Sequence, residues 1–173
     1  MFQFIALAGL LGFGVCACGS AVRPDGGKGL LPVGARAPDV EGMDRQGHRI
    51  RLSERRGFYA VVYFYPKDET PGCTREACAF RDIWNQYVSR SVTVFGVSTD
   101  SEASHRAFAV HHGLPFPLVA DEDGARARAY GVGTSWTMTS RVTFLVDPEG
   151  KVAKVWPDVD PGVHASEVFA VIP

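Results

Sequence analysis

Tyr65-Pro66-Lys67-Asp68-Glu69-Thr70-Pro71-Gly72-Cys73-Thr74-Arg75-Glu76-Ala77-Cys78 joins an apolar run to a stretch with helical spacing. Before it, Tyr59-Ala60-Val61-Val62-Tyr63-Phe64-Tyr65 reads as a central strand covered on both faces. After it, Cys73, Ala77, Phe80, Trp84 and Tyr87 recur every three or four residues and make one mostly apolar helix face. Cys78, Asp82, Asn85 and Ser89 make a different, polar face. Cys73 therefore opens a helix just after a Pro-Gly turn, where the helix N-terminus favours a thiolate. Cys78 follows five positions later, facing away from the core. Two thiols so placed point to redox chemistry and not to a structural staple.

The pattern extends in both directions. Val40 to Leu52 reads as a hairpin around Asp44-Arg45-Gln46-Gly47. Ser91 to Ser98 is a strand, and Ser101 to His112 a helix with Ser101 as cap and Gly113 just past its end. Pro117-Leu118-Val119 is a short strand and Glu122 to Tyr130 a short helix. Val142 to Val146 and Val152 to Trp156 are strands joined by the turn Asp147-Pro148-Glu149-Gly150, and Gly162 to Ala170 is a final helix. This order predicts an α/β sandwich with a mixed sheet and is compatible with a thioredoxin-like fold.

The chain has 173 residues, 46% hydrophobic and 21% charged, with a net charge of −1. That suits one globular domain and gives no sign of a nucleic-acid partner. Residues 1–17 are almost wholly apolar or small and shorter than the roughly 20 residues that span a bilayer. They read as a signal segment. Val15-Cys16-Ala17-Cys18-Gly19-Ser20 resembles a lipobox with Cys18 as the lipid acceptor, although no Lys or Arg lies in the first 22 residues. The expected location is therefore an extracytoplasmic membrane face in a bacterium, with the cytoplasm as the alternative. Residues 18–35 read as a flexible Gly/Pro linker and residues 36–173 as the folded domain.

On an ideal helix, Cys73 and Cys78 stand roughly 140° apart around the axis and about 7.5 Å apart along it. A disulfide needs Cα atoms about 4.4–6.8 Å apart, so the two thiols can join only if the first turns unwind. To reduce a peroxide, Cys73 would need a thiolate, in-line positioning and stabilisation of the departing oxygen. Thr70 can offer its hydroxyl, and Pro66 can shield the thiolate from water.

Pro66-xxx-Thr70-xx-Cys73 matches the active-site signature of the peroxiredoxins. The longer string from Phe64 to Cys78 is similar to the bacterioferritin-comigratory, or Q-type, branch. Phe95-Gly96-Val97-Ser98-Thr99-Asp100-Ser101, Gly113-Leu114-Pro115-Phe116-Pro117-Leu118 and Ala129-Tyr130-Gly131-Val132 also resemble that branch. The resemblance runs from about Ala37 to about Trp156. It implies a thioredoxin-like fold with an N-terminal β-hairpin and a hydroperoxide reductase. Cys73 aligns with the peroxidatic cysteine, Cys78 with the resolving cysteine, and Pro66 and Thr70 with the peroxide-binding pair. Arg141 aligns with an arginine that faces the thiolate from a neighbouring strand, an assignment that rests on the resemblance alone. The implied reductant is a thioredoxin-like dithiol protein. No cofactor or metal is implied, the usual state of the branch is a monomer, and a membrane would be met only through the lipid anchor.

Several residues admit plainer readings. His111-His112 sits at a helix end and is most simply a favourable partner for the dipole, with a ligand role as the alternative. Glu76 either joins a hydrogen-bond network at the site or favours the first helical turn. Phe80 and Trp84 read as core, Trp136 and Met138 as packing or as the rim of a substrate mouth, and His164 receives no role. The competing function is a protein thiol-disulfide oxidoreductase, which normally carries Cys-x-x-Cys in place of the Cys-x-x-x-x-Cys present here.

Overall fold

A computed structural model describes residues 22–135 and 138–173. Residues 1–17, read as a signal segment, together with Cys18 and Trp136 lie outside the described residues. Among the described residues are nine strands: β1 (Glu41–Met43), β2 (Arg49–Arg51), β3 (Ala60–Phe64), β4 (Thr93–Ser98), β5 (Leu118–Ala120), β6 (Thr134–Ser135), β7 (Met138–Thr139), β8 (Val142–Val146) and β9 (Val152–Trp156). Five helices accompany them: α1 (Pro71–Asp82), α2 (Trp84–Ser89), α3 (Glu102–His112), α4 (Ala125–Tyr130) and α5 (His164–Ala170). Seven strands form one mixed sheet in the order β2-β1-β5-β4-β3-β8-β9. β3 runs parallel to β4 and antiparallel to β8, so the strand that feeds the Cys73 loop is paired along its whole length on both sides.

The unbroken apolar run of β3 follows from that position. Val61, Tyr63 and Tyr65 enter a core shared with α1, α3 and α5, while Ala60, Val62 and Phe64 enter the opposite core with α4. Alternate side chains of a strand point to opposite faces, and both faces here are covered. α3 begins and ends as its sequence predicts: Ser101 Oγ accepts from the Ser104 amide, and Gly113 takes the left-handed conformation at φ 63°.

Three features depart from the sequence reading. The segment read as linker is packed where it is described. Leu31 is buried at 5% exposure, its amide donates to the Tyr130 carbonyl, and the Gly34 amide donates to the Val152 carbonyl. The Gly29 carbonyl comes so near Gly131 (φ 69°) that a Cβ there would lie 1.9 Å from it. Gly131 thus permits this close backbone approach, while Gly29 and Gly34 in the segment itself take left-handed turns at φ 72° and 86°. The helical stretch after Cys73 is interrupted at Ile83, whose φ of −108° and ψ of 17° separate α1 from α2. The segment before Arg141 contains a short antiparallel strand pair, β6–β7, that the sequence pattern does not predict. The terminal helix packs firmly, with Ala165 and Val168 buried and the Ala165 carbonyl accepting from Tyr87 Oη at 2.6 Å.

Candidate active site

The site is built at the end of β3. Pro66 to Thr70 leave the strand, and Thr70 caps α1 with an extended backbone while Pro71 takes the first turn. Pro71 lacks an amide hydrogen, and the Thr70 side chain does not cap the helix, so first-turn N–H groups stay available around Cys73. The Thr70 hydroxyl donates instead to the Lys67 carbonyl at 2.9 Å. Cys73 is 1% exposed and Cys78 half-buried, and both are free thiols within the continuous helix α1. The helix keeps them about 8–9 Å apart between Cα atoms.

Register carries Arg141 to this point. Phe64 pairs with Val142, so the residue before Val142 lies just beyond the end of β3, where the Cys73 loop departs. Arg141 Nη2 lies 3.3 Å from Cys73 Sγ, and Nη1 is ion-paired with Glu76. Gly72 gives this guanidinium room, since a Cβ at that position would lie 3.3 Å from Arg141 Nη2. Burial works against the Arg141 charge, but Glu76 and Cys73 outweigh it and hold its pKa above the usual value. Glu76 is fully buried, and desolvation pushes its carboxyl up to about 7 despite the opposing pull of Arg141. Its Oε1 has no hydrogen-bond partner. Of the two readings of Glu76, the structure gives it a place in the site network.

His164, for which the sequence offered no role, lies beneath the site. It is wholly buried between Phe80 and Trp156, and its Nε2 lies 2.8 Å from Thr143 Oγ1. Burial, with the Arg141 charge, depresses its pKa to about 4, so the ring is neutral at physiological pH. A hollow of about 450 Å³ opens beside Pro66, lined also by Gly133 to Ser135 and Met138 to Ser140. Thr139 fixes its wall by donating to the Tyr65 carbonyl at 2.6 Å.

A second buried cluster anchors the loop. Asp68 accepts from Tyr65 Oη at 2.7 Å and from Ser104 Oγ at 2.7 Å, and lies 2.9 Å from His105 Nδ1. His105 Nε2 faces the Val119 carbonyl at 3.1 Å, and the Asp68 amide donates to Asp100 Oδ2 at 2.9 Å. Burial raises the Asp68 pKa, but its bonds from His105, Ser104 and Tyr65 prevail and hold it below the usual carboxylate range. Sequence reasoning missed this network. One signal was available: His105 shares a helix face with Phe108 and Ala109, three and four residues on.

A thioredoxin-like sheet with a buried thiol at a helix start, under a guanidinium from the adjacent strand, defines a thiol-based redox enzyme. Residues 33–155 match the AhpC/TSA family, and the chain belongs to that family. It is 40% identical over 145 residues to the putative peroxiredoxin bcp of Coxiella burnetii, covering 80% of this chain and 96% of that one. It is 38% identical over 149 residues to peroxiredoxin Bcp of Bacillus subtilis, covering 82% and 95%. Among solved structures, peroxidoxin BcpB of Mycobacterium tuberculosis superposes with a TM-score of 0.73 at 32% identity, covering 81% of this chain and 95% of that one. Peroxiredoxin Q of Xanthomonas campestris superposes with a TM-score of 0.69 at 37% identity, covering 76% and 87%. The protein is a thiol-dependent peroxidase with the thioredoxin-like peroxiredoxin fold.

Proposed function

We propose that Cys73 reduces the peroxide and that Cys78 of the same chain resolves the product. The 3.3 Å approach of Arg141 Nη2 to a buried Cys73 Sγ carries this reading. A guanidinium in contact with sulfur favours the thiolate, which is the nucleophile. In the first step the Cys73 thiolate attacks the terminal oxygen of the hydroperoxide. A sulfur–oxygen bond forms, the O–O bond breaks, and the departing oxygen takes a proton to leave as water or an alcohol. Arg141 and the first-turn amides stabilise that oxygen as its charge grows. Thr70, whose own proton is directed to Lys67, presents its oxygen as an acceptor for the peroxide O–H.

In the second step Cys78 attacks the Cys73 sulfenic acid, a disulfide forms and water leaves. The continuous α1 that now separates the thiols unwinds for this step. A thioredoxin-like dithiol protein then returns two electrons and two protons, and its own thiols become a disulfide. The hollow beside Pro66 and Met138 suits the carbon chain of an organic hydroperoxide as well as hydrogen peroxide. The name of one Xanthomonas campestris bacterioferritin comigratory protein structure refers to its alkyl peroxide reduction activity. In a single-turnover assay, Cys78→Ser consumes one equivalent of peroxide and Cys73→Ser none. Consumption of the equivalent by Cys73→Ser would reverse the roles.

The same reading takes residues 1–17 as a lipoprotein signal, Cys18 as the acceptor and the domain as a monomer held at an extracytoplasmic membrane face. The apolar leader and the Val15 to Ser20 string support it. Labelled palmitate recovered on the wild type and absent from Cys18→Ala is the expected result, and equal labelling of both would remove the anchor.

A further inference from the structure

A cluster outside the peroxide chemistry sits on the loop that carries it. Glu69 has φ 60°, which turns the loop just before Thr70. Its carboxylate lies over the end of α3, with Oε1 3.0 Å from His111 Nδ1 and Oε2 2.9 Å from His112 Nε2. The three residues offer one ligand atom each, all within 4.8 Å of one another. Hydrogen bonds from His112 and His111 hold the Glu69 carboxyl below its usual pKa.

We propose that Glu69, His111 and His112 bind a divalent transition-metal ion of the zinc class. Zinc takes imidazole nitrogen and carboxylate oxygen at about 2.0–2.2 Å, which sets tetrahedral ligands roughly 3.4 Å apart. The two imidazole–carboxylate contacts are slightly shorter than that value and all three donors lie within 4.8 Å of one another, so modest side-chain rotations close them on one ion. The donor set is two nitrogens and one oxygen, which suits zinc, nickel, cobalt or copper and not magnesium or calcium. Water completes the coordination, because Glu69 and His111 are 50% and 69% exposed at the side chain. The site also lies at a helix C-terminus, where the backbone dipole favours a cation. Arg81 is a nearby cation, and it is occupied by Asp82 and by the His112 carbonyl, which is thereby removed as a ligand. An ion here ties the residue before Thr70 to α3 and so restrains the active-site loop.

Equilibrium dialysis of the full chain against zinc chloride tests the site without reference to peroxidase activity. The wild type should hold one more zinc than His111→Ala/His112→Ala, and Glu69→Gln should weaken that zinc by at least about tenfold. Magnesium chloride at the same concentration should not displace it. Cobalt bound in its place should show ligand-field bands free of sulfur charge transfer, absent from the His111→Ala/His112→Ala protein. His111→Ala alone, at the most exposed of the three positions, serves if the double variant fails to fold. Equal zinc in wild type and histidine variants, as binding at the cysteines would give, overturns the proposal. So does the absence of zinc from both.

Discussion

Arg141 and Cys73 lie 68 positions apart in the chain, yet Nη2 and Sγ meet at 3.3 Å. The pairing of β3 with β8 makes that contact, and Glu76 holds the other arm of the same guanidinium. A charge-assisted hydrogen bond contributes about 1.5–3 kcal/mol, so Arg141→Ala should slow the single-turnover reaction with peroxide roughly 10- to 100-fold. Stopped-flow measurement of Cys73 oxidation checks this, and Arg141→Lys should recover only part of the rate because one ammonium cannot serve sulfur and carboxylate in fork geometry.

Glu76 makes stability fall as pH rises. Its folded pKa is about 7, above the 4.5 of an unperturbed glutamate. Between those values the folded state holds a proton that the unfolded state has lost, so raising the pH through the window weakens folding. Below the lower value and above the higher one this contribution is constant. Urea unfolding of wild type against Glu76→Gln at pH 5 and at pH 7.5 should show the wild type losing ground by on the order of a few kcal/mol.

Asp68 acts in the opposite direction. Its pKa is lowered in the fold, so its contribution is present above the unperturbed value of 3.8 and is lost as pH falls through the folded value. Asp68→Asn should cost about 3 kcal/mol in urea unfolding, because His105 and two hydroxyls lose a charged acceptor in the interior. It should also slow peroxide reduction, although Asp68 is not placed against the thiol, because the loop from Pro66 to Thr70 loses its anchor.

Leu31 tests where the folded body begins. Leu31→Ala should destabilise the protein by about 2–4 kcal/mol, as for other buried leucines. A freely moving linker would give no measurable change in the urea midpoint.

The sequence made the centre of the molecule legible because local chemistry dictates it. The apolar run Tyr59 to Tyr65 had to be a doubly covered strand, and Pro71-Gly72-Cys73 had to open a helix. The Ser101 and Gly113 boundaries followed for the same reason. Arg141 could not be chosen from among the other arginines by pattern, since strand register, not spacing, carries it to Cys73. Asp68, His105 and His164 were hidden for a related reason: each is a polar side chain whose partners come from distant segments. The stretch 22–35 misled because glycine and proline mark close turns as readily as loose tethers, and Leu30-Leu31 carried the correcting signal. Glu69 and the His111-His112 pair meet across 42 positions, so no spacing in the sequence brings the carboxylate to the two imidazoles.

Peptide mapping after one equivalent of hydrogen peroxide tests the central assignment most directly. The wild type should yield a Cys73–Cys78 linked peptide pair, lighter by two hydrogens than the reduced pair. Cys78→Ser should carry a single added oxygen on Cys73, trapped as the sulfenic acid, and Cys73→Ser should remain unmodified. A sulfenic acid on Cys78 in the Cys73→Ser protein, formed as fast as the wild-type disulfide, would contradict the assignment.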